Sequence, residues 1–506
     1  MAGSWQWSGE SNIPQYWSWL TTQAASRDLT LCQTESLSGP IRLIDNADCH
    51  IARQDKLLLQ IEQELISLSQ TDFHQLKRTH AKHLVFPLAS EMLCRNLVDV
   101  PAWLSSLPSL RPLQVLAYGE GHYQQWRLLN KMQKTCGIIH WLSIKLDNQA
   151  ALSFCFCRSY RGFRKSEKLL KAWQQLLERE CPSQALDFTA LFAANPLVAE
   201  NPELSQIPGN PEIAVQARSW LKALLSGACS NEHGIILDVD NEYLHQYRVN
   251  MRKARSLLSL CKGIFVETQQ RSFAQKLTEW MQQTNALRDL DVHLQDLSNY
   301  KLILPAHLQS QADELQRRLH DKRKSALRSV KRLLDSSRYQ RERQALLEET
   351  SRLTLGPKGH KHAYQYGRKR LFKQLGKIFT LANRLDEQSP DNDLHQLRIA
   401  LKKARYLAEF FQPTKTTKPL LKLTSWLKRL TQDFGQFNDA CVQQLALQAW
   451  LEEAKADKRT SVDYHHALNL LLLNYQAQKQ QYKLKIHQHV TKLRDPIHQS
   501  KLLATM

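Results

Sequence analysis

The feature that most constrains this chain is an internal repeat at a fixed offset of 150 residues. The segment Leu244-His245-Gln246-Tyr247-Arg248-Val249 recurs as Leu394-His395-Gln396-Leu397-Arg398-Ile399. Basic residues follow in register, because Arg252-Lys253-Ala254-Arg255 corresponds to Lys402-Lys403-Ala404-Arg405, and Asp289 corresponds to Asp439. A repeat of this kind indicates that one structural unit is duplicated.

The pattern around the repeat is helical. From about residue 230 onward, apolar residues recur at three- and four-residue spacing, and few Gly or Pro residues interrupt them. The clearest breaks are Leu304-Pro305, 355–359, Ser389-Pro390 and Gln412-Pro413. We therefore predict an all-α domain over 206–506, with two similar helical bundles at about 215–340 and 360–500.

The first 200 residues have a different pattern. Proline-containing stretches and helical pieces alternate with β-like runs at Gly137–Leu146 and Ala151–Cys157. The segment 195–211 carries four prolines in a polar setting and is the best linker candidate. We predict a smaller α+β domain at 1–205, so that the chain as a whole is mainly α.

On a helix, the repeated basic residues fall on one side. His245, Arg248, Arg252 and Arg255 form a stripe under about a quarter-turn wide, with an apolar face beside it. We call this the first basic stripe; the second consists of His395, Arg398, Lys402 and Arg405. Stacked like charges repel by roughly a few tenths of a kcal/mol per pair, and a bound anion would offset that cost.

A solvated surface is the simpler explanation of one basic run, and a histidine within it can be purely structural. The same stripe on two otherwise diverged copies favours a binding site. Asp289 and Asp439 could act as acids or metal ligands, but we assign them a supporting role, capping a helix or orienting an arginine of the stripe.

The excess positive charge lies in the part of the chain that contains the repeat. The 506 residues carry a formal charge of +21, but residues 1–240 hold 22 basic and 23 acidic side chains. The remaining residues hold 47 basic and 25 acidic side chains, and an anionic partner follows for that part.

Other sequence signals are weak. No apolar run approaches the ~20 residues that cross a bilayer, and the N-terminus lacks the pattern of a secretory signal, so we expect a cytoplasmic protein without a membrane partner. The ten cysteines form neither a Cys-x-x-Cys pair nor a Cys/His cluster at zinc spacing. We expect no metal and no cofactor.

Residues about 215–500 resemble the CHAD family, the conserved histidine α-helical domain, in both copies of His-x-x-Arg-x-x-x-Arg/Lys-Lys-x-Arg and in Arg288-Asp289-Leu290-Asp291. The resemblance implies two four-helix bundles whose basic helices face a shared groove or pore, and binding of inorganic polyphosphate, with association with polyphosphate granules. The implied ligand residues are His245, Arg248, Arg252, Lys253, Arg255, His395, Arg398, Lys402, Lys403 and Arg405. Lys402 stands where the first copy has Arg252, so the second copy loses a bidentate contact.

CHAD domains often follow a CYTH domain, a triphosphate-handling β-barrel, and the N-terminal region is similar to that pattern only in a degenerate form. The nearest approach to Glu-x-Glu-x-Lys is Glu62-Gln63-Glu64-Leu65-Ile66, which has Ile in place of Lys and lies in a helical pattern. The run 113–171, with Arg158, Arg161 and Arg164, could correspond to the later CYTH strands. We expect no catalysis there.

Three function classes remain. The leading one is non-catalytic binding of inorganic polyphosphate through both basic helices, which line a shared cavity. Nucleic-acid binding fits the charge equally well but lacks aromatic residues interleaved with the stripes. A polyphosphate- or triphosphate-processing enzyme is the third, although the sequence offers too few convergent carboxylates and no phosphate-binding loop.

Overall fold

The computed structural model describes residues 4–10, 14–69, 73–76, 84, 86–95, 97, 100–107, 111–147, 151–180, 187–199, 202, 204, 207–209, 211–411 and 418–504. The chain divides into two compact units, residues 1–200 and 201–506. The sequence places this boundary near 205, in a segment that lies partly outside the described residues.

The first unit is built on an antiparallel sheet, in which the described strands follow the order β1-β8-β7-β6-β2-β3-β4-β5. The strands are β1 (Ser4–Glu10), β2 (Leu29–Asp45), β3 (Lys56–Ile61), β4 (Glu64–Ser69), β5 (Phe73–Leu76), β6 (Gln114–Asn130), β7 (Thr135–Leu146) and β8 (Leu152–Ser159). The described α-helices of this unit are α1 (Pro14–Ala25), α2 (Ser90–Arg95), α3 (Ala102–Ser105) and α4 (Arg164–Glu180). The first unit is therefore α+β, and the term all-α applies to the second unit alone.

Apolar side chains of α1 and α4 cover one face of the sheet. Leu20 of α1 and Trp173 of α4 pack in one buried cluster with Trp141 of β7 and Cys155 of β8. The two β-like runs of the sequence are thus strands β7 and β8.

Two expectations for this unit are wrong. Residues 62–66 are not helical, because Glu62 lies in the turn between β3 and β4, with a φ of 51°, and β4 begins at Glu64. The run that ends at Lys171 is not strand throughout, since α4 begins at Arg164. The resemblance to a CYTH domain stays a prediction.

The second unit is helical. Its first half contains α5 (Ile213–Cys229), α6 (Glu232–Leu237), α7 (Asn241–Leu260), α8 (Glu267–Gln283), α9 (Asn285–Gln295), α10 (Leu297–Ile303), α11 (Gln309–Leu334) and α12 (Ser337–Arg352). Its second half contains α13 (Ala363–Arg384), α14 (Asp391–Phe410), α15 (Lys418–Ala456), α16 (Val462–Arg494) and α17 (Pro496–Ala504). The predicted break at Gln412-Pro413 lies outside the described residues.

The helices of the two halves correspond in register. Helix α7 covers 241–260 and α14 covers 391–410, so both ends differ by 150 residues. Helices α8 and α9 meet at Thr284, whereas the corresponding residue, Phe434, lies inside the uninterrupted α15. Helix α7 packs against α5, α8 and α9, helix α14 packs against α13 and α15, and α7 also contacts α14. The two helices that carry the basic stripes are therefore neighbours.

Candidate functional site

Local sequence explains how α7 and α14 present their stripes. The carboxylate of Asp240 accepts hydrogen bonds from the backbone N–H groups of Glu242 and Tyr243, at 2.9 and 3.1 Å, and so caps the start of α7. Pro390 precedes α14, whose first turn contains Asp391 and Asp393, where carboxylates interact favourably with the helix dipole. Apolar residues on the adjacent face of each helix are buried, whereas the side chains of the two stripes, apart from Arg248, stay partly exposed.

The two stripes border two adjoining cavities. The larger cavity, of about 670 Å³, is lined by predicted ligand residues of both halves: His245, Arg248, Arg252, Lys253, Arg398, Lys402 and Arg405. The smaller cavity, of about 550 Å³, is lined by Arg252, Arg255, His395, Arg398, Lys402 and Lys403. Every predicted ligand residue therefore borders one of the cavities. Four residues border both: Arg252, Arg398, Lys402 and Tyr406.

The cations of the two halves act on one another. Burial and, next, the positive charges of Arg398 and Arg252 together lower the pKa of Lys402 to about 8, against the opposing effect of Asp439. Burial also lowers the pKa of Lys253 on α7, and Arg405 on α14 adds to that shift. In the empty protein, the cluster is thus partly desolvated and mutually repulsive, a condition that a bound anion relieves.

Arg248 makes a set of contacts that its counterpart lacks. Its guanidinium donates to the Met281 carbonyl at 2.7 Å, the Thr284 hydroxyl at 2.6 Å and the Asn285 side-chain oxygen at 2.8 Å. The side chain is 8% exposed, and burial, followed by the charge of Arg252, lowers its pKa to about 10. Arg248 consequently ties α7 to the junction of α8 and α9, besides bordering the larger cavity.

The second half has lost this anchor. Phe434 and Gly435 stand 150 residues after Thr284 and Asn285, and neither side chain can accept a hydrogen bond. Within the described part of the chain, Arg398 forms no hydrogen bond, its Nε is buried, and burial lowers its pKa. Both Nε groups lack a partner, but the terminal nitrogens of Arg248 are used within the protein, so those of Arg398 are the ones that remain available to a ligand.

The two histidines also have different neighbours. The Nδ1 of His395 lies 3.2 Å from the side-chain oxygen of Asn438, to which it can donate a hydrogen bond. The residue equivalent to Asn438 in the first half is Arg288. The pKa of His245 is lowered, mainly by burial and next by the charge of Arg288. His245 therefore favours the neutral form.

Arg288 also borders the larger cavity, although the stripe pattern does not include it. It lies on α9. A comparison of the two copies does not identify it, because the second copy has Asn438 at the equivalent position. Its signal in the sequence is its place beside Asp289 in the segment that resembles the family motif. Arg288 extends the set of cations at the larger cavity.

Neither supporting aspartate caps a helix. Asp289 lies within α9 and Asp439 within α15, so the capping alternative is wrong. Both are exposed and border the larger cavity, where Asp289 favours the charged form of Arg248 and Asp439 that of Arg398. These two carboxylates face seven Arg and Lys side chains among the residues that line the larger cavity.

The basic residues Lys322 and Arg323 of α11 form ion pairs with acidic residues. Arg323 binds Asp238 at 2.6 Å and Asp291 at 2.7 Å, and the side chain of Asp291 is only 2% exposed. Lys322 forms an ion pair with Glu453 at 2.5 Å. These cations are paired with acids of the same unit and stabilise its fold.

Two properties of the described residues bear on other functions. Among them, no group of three or more His, Cys, Asp or Glu side chains is arranged to hold a metal ion. None of the helices that the structure describes is both long and apolar enough to cross a membrane.

Comparisons with known proteins place this geometry in a family. No curated protein sequence matches the chain significantly. One similar solved structure is the CHAD domain from the plant Ricinus communis, at 20% identity and a TM-score of 0.47, covering 58% of this chain and 96% of that one. Another is PptA from Streptomyces chartreusis, at 15% identity and a TM-score of 0.44, covering 56% and 99%. The family model that describes the CHAD domain matches residues 219–448 of this chain, the segment that carries both basic stripes.

Proposed function

We propose that the helical unit binds inorganic polyphosphate in the cleft between α7 and α14, without catalysing a reaction on it. The observation that carries this proposal is that the stripes of both repeats border the same two adjoining cavities, which share Arg252, Arg398 and Lys402. A linear anion that passes from one cavity to the other would meet cations of both repeats along its path.

The chemistry of the lining suits a phosphate chain. Arginine can hold two phosphate oxygens at once, and lysine supplies a compact charge with three donors. Arg398, whose guanidinium forms no hydrogen bond to the described residues, is a candidate for direct contact. The lowered pKa of Lys402 supports the same assignment, because a phosphate nearby favours the charged ammonium.

Nucleic-acid binding is the second candidate, and the lining favours it less. Tyr406 is the one Phe, Tyr or Trp among the residues that line the two cavities, and it is only 7% exposed. It lies beside the guanidinium of Arg405, 4.9 Å from its ring centroid, and does not offer a free face for base stacking. A phosphate polymer without bases needs no such surface.

The absence of catalysis is part of the proposal. The larger cavity is bordered by two carboxylates, Asp289 and Asp439, and both face arginines. Metal-assisted phosphoryl chemistry needs acidic groups that converge on the metal. Phosphate release from polyphosphate in the presence of Mg²⁺ or Mn²⁺ would contradict this part.

We also infer that the unit is a duplicated pair of four-helix bundles. Support comes from the equal offset of α7 and α14 and from the contacts of α13, α14, α15 and α16, each with the next and α16 with α13. Binding of the polymer would account for an association with polyphosphate granules.

A titration of the full chain with labelled long-chain polyphosphate tests the function. We expect Arg398→Ala/Lys402→Ala to weaken binding at least tenfold, or about 1.4 kcal/mol, and we expect rising salt to weaken the wild type. Lys324→Ala/Lys458→Ala is the matched control, since these lysines are exposed and border neither cavity. Equal affinity in all three proteins, or displacement of polyphosphate by RNA or DNA at lower concentration, would contradict the proposal.

A further inference from the structure

A second group of cations lies beside the smaller cavity and belongs to neither basic stripe. Its members are Lys262, which follows α7, Arg370 and Lys377 of α13, and Lys403 of α14. We call this group the α13 patch. In the sequence, the cations of α13 are spread around the helix, and only the packing of α13 shows which of them face α14.

Two hydrogen bonds place one side of α13 against the other elements. The side chain of Gln374 donates to the Ala400 carbonyl of α14 at 3.0 Å. The hydroxyl of Tyr366 donates to the Lys262 carbonyl at 3.1 Å. At about 100° per residue, Tyr366, Arg370, Gln374 and Lys377 share one side of the helix. Arg370 and Lys377 therefore lie on the side that faces Lys262 and α14.

Lys403 connects the patch to the proposed binding site. It lies one turn after Ala400 on α14, and it borders the smaller cavity together with Arg255. Its pKa is lowered by burial and then by the charges of Lys377, Lys262 and Arg370, so each of these three cations lies close enough to Lys403 to repel it.

The patch has no compensating acids. Within the described part of the chain, none of its four cations forms an ion pair, and the Nε of Arg370 is buried without a hydrogen-bond partner. Lys262 and Lys377 are exposed, while Arg370 and Lys403 are half-buried. The cluster thus has the charge, the access and the unused donors that a multiply charged anion requires.

We propose that the α13 patch is an extension of the binding cleft, which takes the part of a long polyphosphate chain that leaves the smaller cavity past Arg255 and Lys403. This inference rests on the proposed function and deepens it, because it makes affinity depend on chain length. A short oligomer fills the cleft alone, whereas a long chain also contacts α13.

The test compares tripolyphosphate with long-chain polyphosphate on the full-length protein. We expect Lys262→Ala/Lys377→Ala to weaken binding of the long chain by roughly 5- to 10-fold and to leave tripolyphosphate binding unchanged. For the long chain, the magnitude of the slope of log affinity against log salt concentration should fall by roughly two, which is about one for each phosphate contact removed. Both lysines are exposed, and unchanged thermal unfolding would confirm that the fold is intact.

Two control variants separate this inference from the function on which it rests. Arg398→Ala/Lys402→Ala should weaken binding of both ligands, and Lys324→Ala/Lys458→Ala should weaken neither. Unchanged long-chain affinity in Lys262→Ala/Lys377→Ala, or an equal loss for tripolyphosphate, would overturn the α13 patch alone. A wild-type protein that binds neither ligand would overturn both proposals.

Discussion

The guanidinium of Arg248 donates a hydrogen bond to the hydroxyl of Thr284 over 2.6 Å, and this contact has no counterpart in the second repeat. In the second repeat the residue equivalent to Thr284 is Phe434, whose side chain offers no acceptor to Arg398. Arg248 and Arg398 thus occupy equivalent positions of the repeat but differ in their hydrogen-bond partners. Arg248 connects α7 to the junction of α8 and α9, whereas Arg398 forms no hydrogen bond to the described residues.

We therefore expect the two alanine variants to separate stability from binding. Arg248→Ala should lower the free energy of unfolding by about 2–3 kcal/mol, because it removes a buried side chain together with its three hydrogen bonds. Arg398→Ala should change that free energy by less than about 1 kcal/mol and should weaken polyphosphate binding. Urea unfolding followed by circular dichroism, together with a binding titration, measures both quantities. Equal losses of stability would show that the two arginines are equivalent after all.

Gly435 offers a way to rebuild the lost anchor. A Cβ at this position would meet no other atom within 4 Å, so a side chain can be accommodated. We expect Gly435→Asn to engage Arg398 as Asn285 engages Arg248, and to weaken polyphosphate binding by about threefold to tenfold. Gly435→Ala is the control, which should raise stability by about 0.5–1 kcal/mol without affecting Arg398. The idea fails if the two variants bind alike.

Lys402 should make binding sensitive to pH. Its pKa in the free protein is lowered to about 8, and a bound phosphate favours the charged form, so the pKa rises on binding. Below its free pKa the lysine is already charged, and its contribution to affinity is complete. Above that value binding must take up a proton, so affinity should fall by up to about tenfold between about pH 7 and about pH 9.

Titrations over this range measure the effect, and calorimetry in buffers of different ionisation enthalpy measures the proton uptake. Lys402→Arg keeps the charge throughout and should remove the dependence. A pH profile that is identical in this variant would assign the effect to another group.

Arg288 should control the charge of His245. The pKa of His245 is lowered by burial and next by Arg288, so Arg288→Asn, which copies the second repeat, should raise that pKa. Titration of the imidazole signal by NMR measures the shift directly. The same variant should weaken polyphosphate binding, since it removes a cation from the larger cavity. An imidazole titration of His245 that is unchanged in this variant would contradict the prediction.

Part of the first unit was predictable and part was not. The strands β7 and β8 are visible as β-like runs, but the hairpin of β3 and β4 is not, because its apolar residues also satisfy a helical spacing over a few positions. The pairing of Leu59 with Ile66 and of Gln60 with Leu65 makes the segment a β-hairpin and not a helix. Such cross-strand pairs cannot be recognised from the local sequence pattern. The sheet partner is what makes this segment a strand.

In the second unit, the sequence alone determined the helices, the duplication and the one-sided stripes, because helical periodicity and a constant offset are local properties. It could not determine that α7 and α14 are neighbours, so that Arg252 and Lys402 border the same cavities. Nor could it determine that Arg248 is bound by the junction of α8 and α9 or that Arg370 faces Lys403. These relationships depend on which helix packs against which, and packing joins residues that are far apart in the chain.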